Sequence, residues 1–133
     1  MYLNKLTNEQ KELFLDLCIH AAMADNKFVD EEKDIIIEYC LEMGIPERYE
    51  IKTALDDVIE KLSAVSTKKE MRIVYMEIMA LLLSDRVFDE KEKVFVEKIA
   101  TVAEITDEEK EMILNAVQEL FVVYGNISSF INK

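Results

Sequence analysis

The chain is written twice, and that repetition limits its fold more than any other feature. Thr7 followed by Gln10 is a capping-box pattern, in which a hydroxyl and the side chain three residues on satisfy exposed backbone donors at a helix start. Thr67 and Glu70 repeat it sixty residues later. Behind each cap runs an apolar stripe at helical spacing: Leu13, Phe14, Leu17, Cys18 and Ala21 in one half, Val74, Tyr75, Ile78, Leu81 and Leu82 in the other. Each half is therefore predicted to open with a long helix.

The parallel continues. Second helices are expected from about Asp30 and Glu90, carrying Ile35, Ile36, Tyr39, Cys40 and Met43 in one half and Phe95, Val96, Ile99, Ala100 and Ala103 in the other. Gly44 suits a left-handed helix end, and Ile45 still matches Ile105 at the same offset. Pro46 fits the first turn of a third helix, and Thr106 with Glu109 forms another capping box. The third helices align at an offset of 62, pairing Ile51 with Ile113, Ala54 with Ala116, Leu55 with Val117, Val58 with Leu120, Ile59 with Phe121 and Leu62 with Tyr124. Gly125 is expected to close the last helix, leaving Ile127, Phe130 and Ile131 for a short docked turn.

These signals predict an all-α fold: six main helices in two three-helix halves, about 7–62 and 67–124, related by approximate twofold symmetry, plus a short C-terminal helical turn. Three such helices would make a marginal core alone, and "SAVST" is no domain linker, so residues 1–133 are expected to form one domain. Two Gly, one Pro and no Trp, with half the residues hydrophobic, agree with short connections.

The charge balance narrows the partners. There are 16 Lys plus Arg against 28 Asp plus Glu, a net charge of −12. A nucleic-acid backbone would be repelled by that field, whereas cations and basic protein surfaces are its natural partners. Cys18 and Cys40 lack metal-ligand or CxxC spacing and read as buried free thiols in a reducing compartment. The N-terminal stretch carries no signal-peptide pattern and "IMALLL" is far too short to span a bilayer. A cytoplasmic protein without an integral membrane segment is expected; oligomeric state is left open.

The corner between the first two helices of each half is repeated most closely. Asp25 matches Asp85, Phe28 matches Phe88, Glu32 matches Glu92 and Lys33 matches Lys93. Each has a structural explanation: Phe as a plug under the turn, Asp as a turn former, Glu as a cap at the positive end of a helix. Together they also suggest a cation site, because Asp25 and Asp85 end helices where an anion is disfavoured by roughly 0.3–1 kcal/mol. Convergent carboxylates suit Ca²⁺, Mg²⁺ or Mn²⁺. An EF-hand is excluded, since counting from Asp25 places Lys27, Val29 and Ile36 where that loop needs ligands.

Two halves, each with an Ala/Leu-rich helix ending in "MAD" or "LSD", then a hydrophobe and a Glu opening the next helix, resemble the TerB-like family, named for a tellurite-resistance protein. The resemblance spans about Leu6 to Tyr124, and "MADNKFVDEEK" is its closer half. It implies an all-helical metal-binding or scaffolding module linked to stress responses, with Asp25, Glu32, Asp85 and Glu92 as ligands of a divalent ion (Ca²⁺, Mg²⁺, Mn²⁺ or Zn²⁺). Where the family often has Gly after the corner Asp, this chain has Asn26, which tolerates the left-handed turn, and Arg86, which could neutralise Asp85.

Other constellations are weaker. His20 is the only histidine, and no nucleophile spacing or Gly-rich phosphate loop accompanies it, so enzymatic activity is not expected. Met23, Met76 and Met79 read as core or, alternatively, as an adaptable groove for a partner helix. A metal-free interaction domain that uses this groove or the acidic surface is the competing expectation.

Overall fold

The computed structural model describes residues 1–24, 30–84 and 89–133. These residues form a short 3₁₀ turn, Leu3–Lys5, and helices α1 (Asn8–Ala22), α2 (Asp30–Met43), α3 (Leu55–Val65), α4 (Lys68–Leu82), α5 (Glu90–Ala103) and α6 (Asp107–Ile131). The all-helical prediction holds. All three expected capping boxes form: Thr7 with Gln10, Thr67 with Glu70 and Thr106 with Glu109.

The two opening helices make the centre of the fold. α1 packs on α3, α4 and α2, while α4 packs on α5, α6 and α2. Phe14, Leu17, Cys18 and Ile19 of α1 and Val74, Ile78 and Leu81 of α4 are wholly buried. Full burial of each large aliphatic or aromatic side chain contributes roughly 1.5–3 kcal/mol. Cys18 and Cys40 are buried free thiols, as expected.

α2 and α5 end in the same way. The Ile45 N–H donates to the Cys40 carbonyl (3.1 Å) and Gly44 N–H to Leu41 (3.2 Å); Ile105 N–H donates to Ala100 (3.0 Å) and Glu104 N–H to Thr101 (3.3 Å). Both are Schellman ends, which need a left-handed residue. Gly44 takes it at φ 70°, and Glu104, at the matching position, takes it at φ 56° despite its Cβ.

Two expectations fail. No helix starts at Pro46: residues 45–54 form an irregular strap over α1, and α3 begins at Leu55. The reason is a set of polar contacts from α1. Buried Asp16 accepts from Arg48 Nη1 (2.6 Å) and from Lys52 N–H (3.2 Å), Arg48 Nη2 reaches the Glu12 carboxylate (3.1 Å) and His20 Nε2 meets the Thr53 carbonyl (2.8 Å). Backbone groups that a helix would have satisfied are satisfied here by side chains. Ile51 and Ala54 consequently lie outside the third helix.

Nor does Gly125 close the last helix. α6 runs through it to Ile131, so the separate C-terminal turn does not exist. No contact draws the chain aside at Gly125, whose surroundings are open, and propagation gains a hydrogen bond per residue. Only Val117 of α6 is fully buried, with Ile113, Leu114 and Phe121 half-covered.

These observations set expected outcomes in chemical or thermal unfolding. Gly125→Ala should stabilise by about 0.5–1 kcal/mol, as an exposed mid-helix glycine. Glu104→Gly should stabilise by about 1 kcal/mol by relieving the left-handed strain, whereas Gly44→Ala should destabilise by a similar amount. Arg48→Met should cost about 3 kcal/mol by leaving Asp16 buried without its cation, and Asp16→Leu in the same chain should recover most of it.

Candidate functional site

The corners begin where α1 and α4 stop. Met23 N–H donates to the Ile19 carbonyl (3.1 Å) and Leu83 N–H to Met79 (3.0 Å), with Ala24 and Ser84 closing one further turn on Ala21 and Leu81. Asp25 and Phe28, and Asp85 and Phe88, lie outside the described residues, as do Asn26 and Arg86. The two glutamates are described. Glu32 and Glu92 are the third residues of α2 and α5 and are buried, at 4% and 3% exposure.

Glu92 has a local role there. Its backbone N–H donates to Asp89 Oδ1 (2.9 Å) and its Oε1 accepts from Asp89 N–H (3.2 Å). This fourth capping box bears out the capping role given to the glutamate, and the D-x-x-E spacing of Asp89 and Glu92 carries the signal for it. At α2 the whole first turn is acidic, Asp30, Glu31 and Glu32, which the positive helix end favours. Among the described residues no group of three or more His, Cys, Asp or Glu side chains is placed to hold a metal ion. Any corner site therefore needs the aspartates.

The remaining chemistry-bearing side chains are held in other duties. His20 is tied to a carbonyl of the strap. Burial pushes the Cys18 thiol well above its usual pKa, and Cys40 rises for the same reason; a thiol kept protonated is a poor nucleophile. Met79 is core and Met76 half-buried, while Met23 is exposed.

Among the described residues, hollows also lie away from the corners. A broad groove of about 760 Å³ runs between α3 and α5 over Ile59, Ser63, Ala64, Thr101 and Val102, edged by Lys98. A smaller cavity of about 220 Å³ lies between α2, α4 and α6. Its polar end is Glu77, 3% exposed, a residue passed over in the sequence. The signal was there in the repeat: the matching position is Leu17.

No protein-family model matches the sequence, and no curated protein matches it. Among solved structures, the chain is similar to a tellurite resistance protein from Nostoc punctiforme, with a TM-score of 0.58 and 24% identity over 93% of this chain and 78% of that one. At that identity the likeness is one of fold, and at that level it bears out the resemblance to the TerB-like family.

The capping geometry distinguishes two roles for Glu92. Glu92→Gln keeps a cap acceptor and should change stability by only a few tenths of a kcal/mol in the absence of metal, whereas Glu92→Ala should cost about 1 kcal/mol. Urea unfolding of both variants checks this. A large loss in the Gln variant would mean that the negative charge, rather than the cap, is what the fold requires.

Proposed function

We propose that this TerB-like chain is a non-enzymatic binding module whose acidic corners hold a divalent cation, in a stress-response or scaffolding role. One observation carries the reading: Glu32 and Glu92, at matching places after the two corners, are both buried. A carboxylate in a buried setting is less screened by solvent and so is a stronger ligand for a hard cation than an exposed one. Asp25 and Asp85, seven residues before them, would complete all-oxygen donor sets of the kind hard cations prefer. A bound cation would also offset the unfavourable placement of an aspartate after a helix C-terminus. The tellurite resistance of the structural neighbour is in keeping with a stress role.

Binding rather than catalysis is favoured by the state of the reactive groups: His20 bonds to a backbone carbonyl and the thiols are buried. The competing reading, a metal-free protein-interaction domain, draws on a different observation. The last turns of α6 expose Val122, Val123, Tyr124, Ile127, Phe130 and Ile131, and clustered exposed apolar side chains mark interaction surfaces.

Thermal unfolding of chelator-treated protein with Ca²⁺, Mg²⁺, Mn²⁺ or Zn²⁺ separates the two. At a hundredfold excess over Kd a native-state ligand adds about 2.7 kcal/mol, which for a chain of this size is a rise in Tm of roughly 10 °C. The rise should disappear in Asp25→Asn and fall in Glu32→Gln. If no cation raises Tm at millimolar concentration, the repeated corner is a structural device and the interaction reading takes its place.

A further inference from the structure

Glu77 breaks the internal repeat in the middle of the core. Its partner at sixty residues' distance, Leu17, is wholly buried and apolar. Glu77 is itself 3% exposed, in the centre of α4, away from helix ends and caps. Neither the fold's symmetry nor helix capping calls for an anion there.

The surroundings of this carboxylate are those of a receptor for a cation with an apolar tail. Glu77 Oε2 lies 3.2 Å from the ammonium nitrogen of Met1, and Glu42 Oε1, from α2, lies 3.1 Å from the same nitrogen. Glu42 is oriented by its other oxygen, which accepts the Leu3 N–H at 2.7 Å. Tyr39 donates to the Glu77 backbone carbonyl at 2.8 Å, fixing α2 against α4 at this level. Alongside the ammonium lies the cavity of about 220 Å³, walled by Ile35, Met76, Ala80, Phe121 and Tyr124, with Glu38 also on its lining.

We propose that the cleft between α2, α4 and α6 is a binding site for a primary alkylammonium group, with Glu77 and Glu42 accepting from the nitrogen and the apolar walls covering the carbon chain. In the structure the amino group of Met1 holds that place. Two lines meet here: a buried acid where the repeat has leucine, and unfilled apolar volume beside it; the Met1 amino group shows how an ammonium sits between the two carboxylates. The chemistry selects a primary ammonium. Its three N–H donors can be shared between carboxylates from two helices, on a head more compact than a guanidinium and carried by an unbranched carbon chain. Among the described residues there is no third ligand to suit a divalent metal. Burial raises the Glu77 carboxyl pKa, and the adjoining ammonium offsets only part of that rise. The group could belong to a free amine or to a lysine of another protein.

The test uses the full chain with a short uncharged extension ahead of Met1, which removes its own amino group from the cleft. Methionine methyl groups labelled with ¹³C report occupancy: Met76 lines the cavity, while exposed Met112 is the control. Pentylamine should shift the Met76 signal saturably at millimolar concentration and pentanol should not. Glu77→Gln and, as a second variant less exposed to folding defects, Glu42→Gln should each weaken binding by about tenfold or more. Far-UV circular dichroism and the Met112 signal confirm that each variant is folded. Binding of a short peptide with one lysine, without binding of pentylamine, would support the site and assign its ligand to a protein partner. Equal shifts with pentanol, unchanged affinity in both variants, or no saturable shift with amine or peptide would overturn the proposal.

Discussion

Everything in this fold is arranged around two helices that are buried on nearly all sides. α1 and α4 pack against one another; α1 is also covered by α2 and α3, and α4 by α2, α5 and α6. A helix apolar all round belongs in the interior, but neither helix is purely apolar. Gln10, Asp16 and Glu77 are buried in them, and a buried polar group without a partner costs several times what a surface hydrogen bond contributes. The core therefore dictates where the rest of the chain must supply polar partners.

Those demands explain the irregular parts. Gln10 donates to the Val65 carbonyl (3.1 Å) and the Ser66 hydroxyl (3.0 Å), which fastens the connection between halves to the start of α1. Asp16 claims Arg48 and the Lys52 N–H, and this holds residues 45–54 out of helical conformation. Arg48 is itself used twice more, on the Glu50 and Glu12 carbonyls (2.7 and 3.2 Å). Its Nε finds no partner among the described residues, so the strap satisfies α1 at some expense to itself.

What could be read from the sequence was what is local. Caps, apolar stripes and the left-handed glycine at residue 44 depend on residues within one or two turns, and three capping boxes and the core faces of α1, α2, α4 and α5 appear where the spacing put them. The failures are all long-range. Pro46 permits a helix start, but Asp16, thirty residues earlier, decides against one. Gly125 permits a stop, but a stop needs contacts that turn the chain aside, and none exist at that point. Glu32 and Glu92 stand out by their repetition, and the family resemblance implies them as ligands; the structure buries both and gives Glu92 a capping bond, while the aspartates that would accompany them lie outside the described residues.

A repeat also makes its own exceptions visible, and these mark where the halves have different work. Where Schellman ends coincide, a left-handed residue is enforced in both halves, even as glutamate at 104. Where Asp16 stands opposite Met76 and Leu17 opposite Glu77, the two halves exchange charge for apolar volume at adjacent positions. The first half neutralises its buried acid internally, with an arginine from its own strap. The second half has no such strap: α5 leads into α6 through Glu104, Ile105 and Thr106 alone, too short a connection to lay a side chain across α4. Its buried acid is met from outside that half, by the Met1 amino group, and α6, with Val117 its one buried residue, leaves a cavity beside that contact.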